Sequence, residues 1–321
     1  MPALDFFVSD HELTNLVTTA RREDLGPDHL DATTSLFIPA DRWCEAAIVA
    51  RAPGVVAGLA ALPAMIEAYD PQIELDALAV DGAAIDPGDT VATLRGPLRS
   101  VLMLERVALN LCGHLSGVAT HTAAFAQRVA HTCAKIYDTR KTLPGLRGLQ
   151  KYAVACGGGG THRMGLFDAV LVKDNHLAHV PLAQWTRALT AMADRARAEV
   201  PGLKFVMVEV DTLDQLDRAL AVPRSRDSQP AGIDLILLDN MPPATLREAV
   251  TRRNAAYPDP VGPTVKLEAS GGVRLDTVRA IAEAGVDRIS VGALTHSSVN
   301  LDLGLDLGPP PTALPPGPTD G

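Results

Sequence analysis

The residues best able to do chemistry in this chain are cations gathered in one acidic protein. Residues 135–173 hold seven basic side chains (Lys135, Arg140, Lys141, Arg147, Lys151, Arg163, Lys173) against two acids (Asp138, Asp168), while the whole chain carries a formal net charge of −9. A charge run is commonly a solvated face. Arg140, Lys141 and Lys173, however, close short apolar runs that read as strands, and His162-Arg163 follow a glycine run, Gly157 to Gly160, just before another. Cations converging on a small volume repel one another unless an anion is shared between them. Arginine suits carboxylates through its planar fork, and lysine serves phosphate as a point charge. The glycine run is either a plain linker or a place where backbone approaches a ligand closely, and the flanking His162-Arg163 favour the second.

Two carboxylates, Glu209 and Asp239, close successive apolar runs. They either balance the lysines, hold a hard cation such as Mg²⁺ together with bound phosphates, or hold sugar hydroxyls. Ser270-Gly271-Gly272, and Ser290 to Ala293 after the last strand, read as loops whose backbone amides bind phosphate, with a simple strand-to-helix turn as the bland alternative.

These groups need elements that bring them together. From residue 135 onward, apolar runs (KIYDTR, FDAVLVKD, KFVMVEVD, IDLILLDN, TVKLEAS, DRISVGA) alternate with helical stretches near 145–156, 183–199, 212–221, 243–254 and 275–284. Runs such as AVLV and LILL suit parallel strands covered on both faces. Almost every one ends in a polar or special residue, which a barrel would collect at its C-terminal mouth and an open sheet would spread along an edge. Six strands predict an incomplete (β/α) barrel. Upstream, residues 1 to about 95 read as an α+β domain with a mostly antiparallel sheet. A helix is expected over 11–21, a strand pair in 44–59 turning at Pro53-Gly54, and a helix near 60–69. A long helix over 97–130, interrupted near Leu115 to Gly117, follows. The tail 308–321 is Pro-rich and expected to be disordered.

Bulk properties exclude several classes. The acidic balance argues against nucleic acid. No apolar run is long enough for a membrane helix. Four separated cysteines without a CxxC pair, and a start without a signal-peptide pattern, suggest a cytoplasmic protein.

The runs ERVALNLCGHLSG (105–117), YDTRKTLPGLR (137–147), GGGGTHRMGL (157–166), VKDNH (172–176), VEVD (208–211), LLDN (237–240), EASGGV (268–273) and SVGALTHS (290–297) occur in this order. Together they resemble the quinolinate phosphoribosyltransferases, over roughly residues 11–307. The resemblance implies an α/β fold: an N-terminal α/β sandwich domain (1–117, joined by the chain end at about 294–307) and an incomplete α/β barrel (118–293) with its active site at the C-terminal ends of the strands. It implies transfer of ribose 5-phosphate from phosphoribosyl pyrophosphate to quinolinate with loss of CO₂, giving nicotinate mononucleotide and pyrophosphate, with Mg²⁺ as cofactor. Arg140, His162, Arg163 and Lys173 would hold the two substrate carboxylates, and Arg106 would reach the pocket from the partner of a homodimer or a larger assembly. Lys141 and Lys173 would face the pyrophosphate or reacting centre, Glu209 and Asp239 the ribose and Mg²⁺, and Ser270, Gly271, Gly292 and His296 the 5-phosphate. Thr161 stands where the family often has Asn or Ser, Leu30 replaces a usual glycine, and 222–232 reads as a long surface loop. A sibling transferase with another acceptor should lack some of these cations. A barrel that only binds a phosphorylated metabolite should lack the carboxylates.

Overall fold

The computed structural model describes residues 3–223, 232–258 and 265–308. Most of the 222–232 loop and the Pro-rich tail from 309 lie outside these residues. Along the chain come α1 (Asp10–Leu25), α2 (Ala32–Phe37), β1 (Trp43–Ala50), β2 (Gly54–Val55), α3 (Leu62–Tyr69), β3 (Glu74–Ala77), β4 (Ala84–Ile85), β5 (Thr90–Pro97) and α4 (Leu98–Val129). Then follow β6 (Lys135–Tyr137), α5 (Arg147–Cys156), β7 (Val170–Val172), α6 (Asp174–Leu177), α7 (Trp185–Glu199), β8 (Val206–Val210), α8 (Leu213–Leu220) and β9 (Leu235–Asp239). The chain closes with α9 (Pro243–Ala256), β10 (Lys266–Ser270), α10 (Val278–Ala282), β11 (Arg288–Ser290), α11 (Ala293–His296) and β12 (Leu303–Leu307). Two compact units result: residues up to 123 with 143–158 and the segment from 297, and residues 124–142 with 159–296.

In the first unit β12, β1, β5 and β3 form an antiparallel sheet in that order. The chain end therefore supplies an edge strand. Ile48, Leu94, Leu62, Met65 and Leu104 make a buried core there. Helix α1 starts at a reciprocal cap, in which the Glu12 amide donates to Ser9 Oγ (3.3 Å) and the Ser9 amide to Glu12 Oε2 (2.9 Å). Two sequence expectations fail here. β2 does not fold back on β1 but pairs with β4, because β1 already has β5 and β12 on its two edges. Helix α4 runs through Leu115 to Gly117 without a break. Its glycines serve packing instead: a Cβ on Gly117 would lie 2.1 Å from the Val299 carbonyl oxygen, and one on Gly113 2.9 Å from that of Leu301. Only a bare helix face lets the returning chain lie that close.

The second unit is a parallel sheet of six strands in the order β6-β11-β10-β9-β8-β7. The end strands β6 and β7 do not pair with each other, so the barrel is incomplete. Every residue of β8 is buried, which explains why the strand reads as an apolar run broken only by Glu209 near its end. Side chains two apart share a face. Leu171, Phe205, Met207, Leu235 and Leu237 pack together on one face, with Lys173, Glu209 and Asp239 following on the same alternation. A hydrophobic floor thus carries the polar groups of the strand ends.

Candidate active site

A cavity of about 610 Å³ opens on this face of the second unit, and all six strands or the residues just after them line it. The sheet therefore curves around one volume. Of the residues singled out from the sequence, Arg140, Lys141, His162, Arg163, Lys173, Glu209, Asp239, Ser270, Gly271, Gly292 and His296 all line it. Arg106 does not. It lies on α4 in the first unit, exposed, with Glu105 3.6 Å away.

Local hydrogen bonds set each group. After β6, the Lys141 amide donates to Thr139 Oγ1 (3.0 Å), and the Lys141 carbonyl accepts from Thr295 Oγ1 (2.8 Å). The glycine run, expected to bring backbone to a ligand, does something else. None of Gly157 to Gly160 lines the cavity. Gly160 lies beside β6, its amide donating to the Ile136 carbonyl (2.7 Å), and a Cβ there would sit 2.6 Å from the Tyr137 ring. That close pass delivers the next residues: the His162 amide donates to Asp138 Oδ1 (2.7 Å), and the Arg163 amide to His162 Nδ1 (2.8 Å). Asp168 accepts from the amides of Met164 (2.9 Å) and Gly165 (3.1 Å), which fixes the turn after Arg163.

The electrostatics favour an anion. Arg163 is buried, and burial together with the neighbouring Arg140 charge pushes its guanidinium below its ordinary pKa. An anion bound between the two would relieve both effects. Lys173, half-exposed, ion-pairs with the buried Glu209. Asp239 stands apart: burial and the nearby Asp211 raise its carboxyl above the usual range, against the pull of Lys173 and Lys141. Beyond β10 and β11 the amides of Gly271, Gly272 and Gly292 donate to no protein acceptor among the described residues. Gly271 has φ +91°, and a Cβ on it would lie 2.8 Å from the Asn240 nitrogen; one on Gly292 would lie 2.9 Å from Lys141 Cδ. These loops are thin because side chains and backbone from neighbouring strands crowd them.

Sequence reasoning overlooked the floor. Glu268 is fully buried and lines the cavity, 2.7 Å from Arg288 Nε and 3.5 Å from His162 Nε2. Arg288 stacks on Tyr137, 3.6 Å from the ring centre. Burial acts to raise the Glu268 carboxyl, but His162, Arg288 and Ser290 outweigh it and hold the group below its ordinary value. The available signal was the two-residue alternation, since Glu268 precedes Ser270 by two on β10.

No cluster of three or more His, Cys, Asp or Glu able to cage a metal occurs among the described residues. No helix among them is long and apolar enough to cross a membrane.

Comparison with known proteins agrees with this geometry. Residues 31–116 match the family profile of the quinolinate phosphoribosyl transferase N-terminal domain, and residues 118–306 that of the C-terminal domain. A nicotinate-nucleotide pyrophosphorylase [carboxylating] from Mycobacterium leprae is 44% identical over 94% of this chain and 100% of its own. A probable enzyme of the same name from Bacillus subtilis is 37% identical over 92% of this chain and 93% of its own. The solved nicotinate-nucleotide pyrophosphorylase from Francisella tularensis superposes with a TM-score of 0.81 at 33% identity, covering 94% of this chain and 98% of that one. Both halves of the chain match, and this chain belongs to the quinolinate phosphoribosyltransferase family.

Proposed function

We propose that the chain is the carboxylating nicotinate-nucleotide pyrophosphorylase of de novo NAD biosynthesis: it joins quinolinate to phosphoribosyl pyrophosphate and releases CO₂ and pyrophosphate. The observation that carries this reading is the buried Arg163, its charge opposed by Arg140, in a cavity shared with three carboxylates and two glycine loops. An acceptor with two adjacent carboxylates matches two guanidinium groups, and each such charge-assisted contact adds geometric selectivity.

The residues divide the work. Arg140, His162 and Arg163, with Lys173 at the edge, hold the quinolinate carboxylates and fix the ring nitrogen over C1 of the ribose. That fixation makes the encounter effectively unimolecular. The loop amides of Gly271 and Gly292, with Ser270 and His296, hold the 5-phosphate. As the C1–O bond breaks, negative charge grows on pyrophosphate and positive charge on the ribose. Lys141 and Lys173 meet the first, and Asp239 and Glu209 the second. After the N–C1 bond forms, the cationic ring nitrogen accepts the electrons left behind when CO₂ departs from the 2-position, and a proton then replaces it there.

The residues fit a metal carried in by substrate rather than a cage of protein ligands. Glu209 is engaged by Lys173, while Asp239 has a carboxylate raised in pKa by burial and a nearby acid, a setting that a divalent cation would relieve. Asp239, with Glu209 in support, would hold Mg²⁺, which would neutralise charge on the departing pyrophosphate.

Arg106 joins this scheme through a homodimer, in which the arginine of one protomer completes the other's cavity. Its exposure and its place outside its own cavity lining support that reading. The same scheme divides the chain into a sandwich domain (1–117 with about 294–307) and a barrel (118–293) in a cytoplasmic enzyme. The test is product analysis with phosphoribosyl pyrophosphate and Mg²⁺. Quinolinate should yield nicotinate mononucleotide and CO₂ in equal amounts. If nicotinate serves as well as quinolinate, the two-carboxylate reading is wrong.

A further inference from the structure

The imidazole of His162 is held from both sides by groups of opposite hydrogen-bonding character. The backbone N–H of Arg163 donates to Nδ1 at 2.8 Å, so that nitrogen presents a lone pair rather than a proton. On the other side Nε2 faces the buried Glu268 carboxylate at 3.5 Å. One proton on Nε2 and none on Nδ1 satisfies both neighbours. An imidazolium would set two N–H groups against each other at Nδ1.

The surrounding charges do not require an imidazolium. Glu268 on β10 has its charge met by Arg288 on β11, 2.7 Å away. From the β6 end, Asp138 Oδ1 accepts the backbone amide of His162 (2.7 Å). The adjoining Arg163, with Arg140 acting on it, puts positive charge beside the ring and opposes a further cation. Against the ring from the start of β8 lies Phe205, uncharged and edge-on, with centroids 5.2 Å apart.

We propose that Glu268 is a positioning residue that holds His162 as an uncharged imidazole with its proton on Nε2, leaving Arg140 and Arg163 to carry the positive charge on that side of the cavity. Glu268 acts through His162 and Arg288. With the quinolinate reading above, on which this consequence alone rests, the acceptor's two carboxylates are met by two guanidinium charges, and Lys173 at the edge already has its charge paired with Glu209. His162 adds orientation without adding charge.

The tautomer is read directly from the whole protein without substrate, by ¹⁵N resonances of labelled histidine assigned by difference with His162→Gln. One protonated Nε2 and one bare Nδ1 is the expected result. Two protonated nitrogens, or the opposite tautomer, overturns the proposal. In Glu268→Gln, which keeps the side chain's size, the fixed pattern should give way to tautomer averaging. In the same variant KM for quinolinate should rise roughly tenfold, with KM for phosphoribosyl pyrophosphate changed by less than about twofold. An unaltered His162 spectrum with unaltered kinetics removes Glu268 from this role. If Glu268→Gln does not fold, the wild-type spectrum still decides the tautomer. Failure of the wild-type protein to turn over quinolinate would refute the proposed function, and the spectrum, recorded without substrate, would decide the tautomer separately.

Discussion

Gly271 and Gly272 are adjacent, both have positive φ, and yet they should respond differently to the same substitution. At Gly271 (φ +91°) an added Cβ would lie 2.8 Å from the Asn240 nitrogen and 3.0 Å from its Cα. Both atoms are backbone, so relief requires the β9 loop to move by about half an ångström to reach ordinary contact near 3.4 Å. Asn240 is itself left-handed (φ +52°), and its amide donates to the Ser270 carbonyl (2.8 Å), so that movement disturbs both loops. At Gly272 (φ +60°) the nearest atom is Asn240 Oδ1 at 3.8 Å, and the new methyl enters open space. Left-handed backbone costs a non-glycine residue about 1–2 kcal/mol, and forcing a methyl into a filled site adds about 1–3 kcal/mol. Gly272→Ala should therefore lose about 1–2 kcal/mol and Gly271→Ala about 2–5 kcal/mol in denaturant unfolding. If the loop holds the 5-phosphate, the shift at Gly271 should also raise KM for phosphoribosyl pyrophosphate by about tenfold or more. Quinolinate binding, measured alone by titration calorimetry, should stay within about twofold in both variants. Equal stability losses, or a Gly271→Ala enzyme with normal KM, would show that backbone crowding at Asn240 does not set this loop.

Asp239→Asn should separate stability from function. Because the folded-state pKa is raised, the ionised carboxylate penalises the native state above that pKa, and the penalty fades as pH falls through it. The Asn variant should thus melt higher than wild type near neutral pH, with the gap closing on acidification, while turnover falls far more than quinolinate affinity. A lower melting temperature at neutral pH would contradict the burial argument. For Arg106, mixing the inactive variants Arg106→Ala and Lys173→Ala under subunit exchange should restore activity towards half of a normal dimer, since one cavity per heterodimer is then intact. Verified heterodimers that stay inactive would place Arg106 in its own chain's cavity.

What could be read from the sequence divides along physical lines. Lys173, Glu209, Asp239 and Ser270 were legible because each stands at or just past the end of a parallel strand, where an apolar run stops abruptly. The alternation of strands with helices sufficed to foresee a parallel, incompletely closed sheet. Pairing choices were not legible. Whether β1 folds onto β2 or takes β5 and β12 depends on edges contributed by residues about 50 and about 260 positions away, which no local turn signal encodes. Glycines misled for a related reason. Gly117 in α4 and Gly160 beside β6 look locally like a helix break and a ligand loop, but each exists for the segment packed against it, Val299 in one case and Tyr137 in the other. Glu268 escaped notice because its chemistry is not at a strand end. It sits one alternation below Ser270 inside the sheet, where a carboxylate survives only with Arg288 and His162 beside it. A charged residue at an inward position of an apolar strand therefore marks a second layer under the mouth, and reading every strand two residues back from its polar end would have found it.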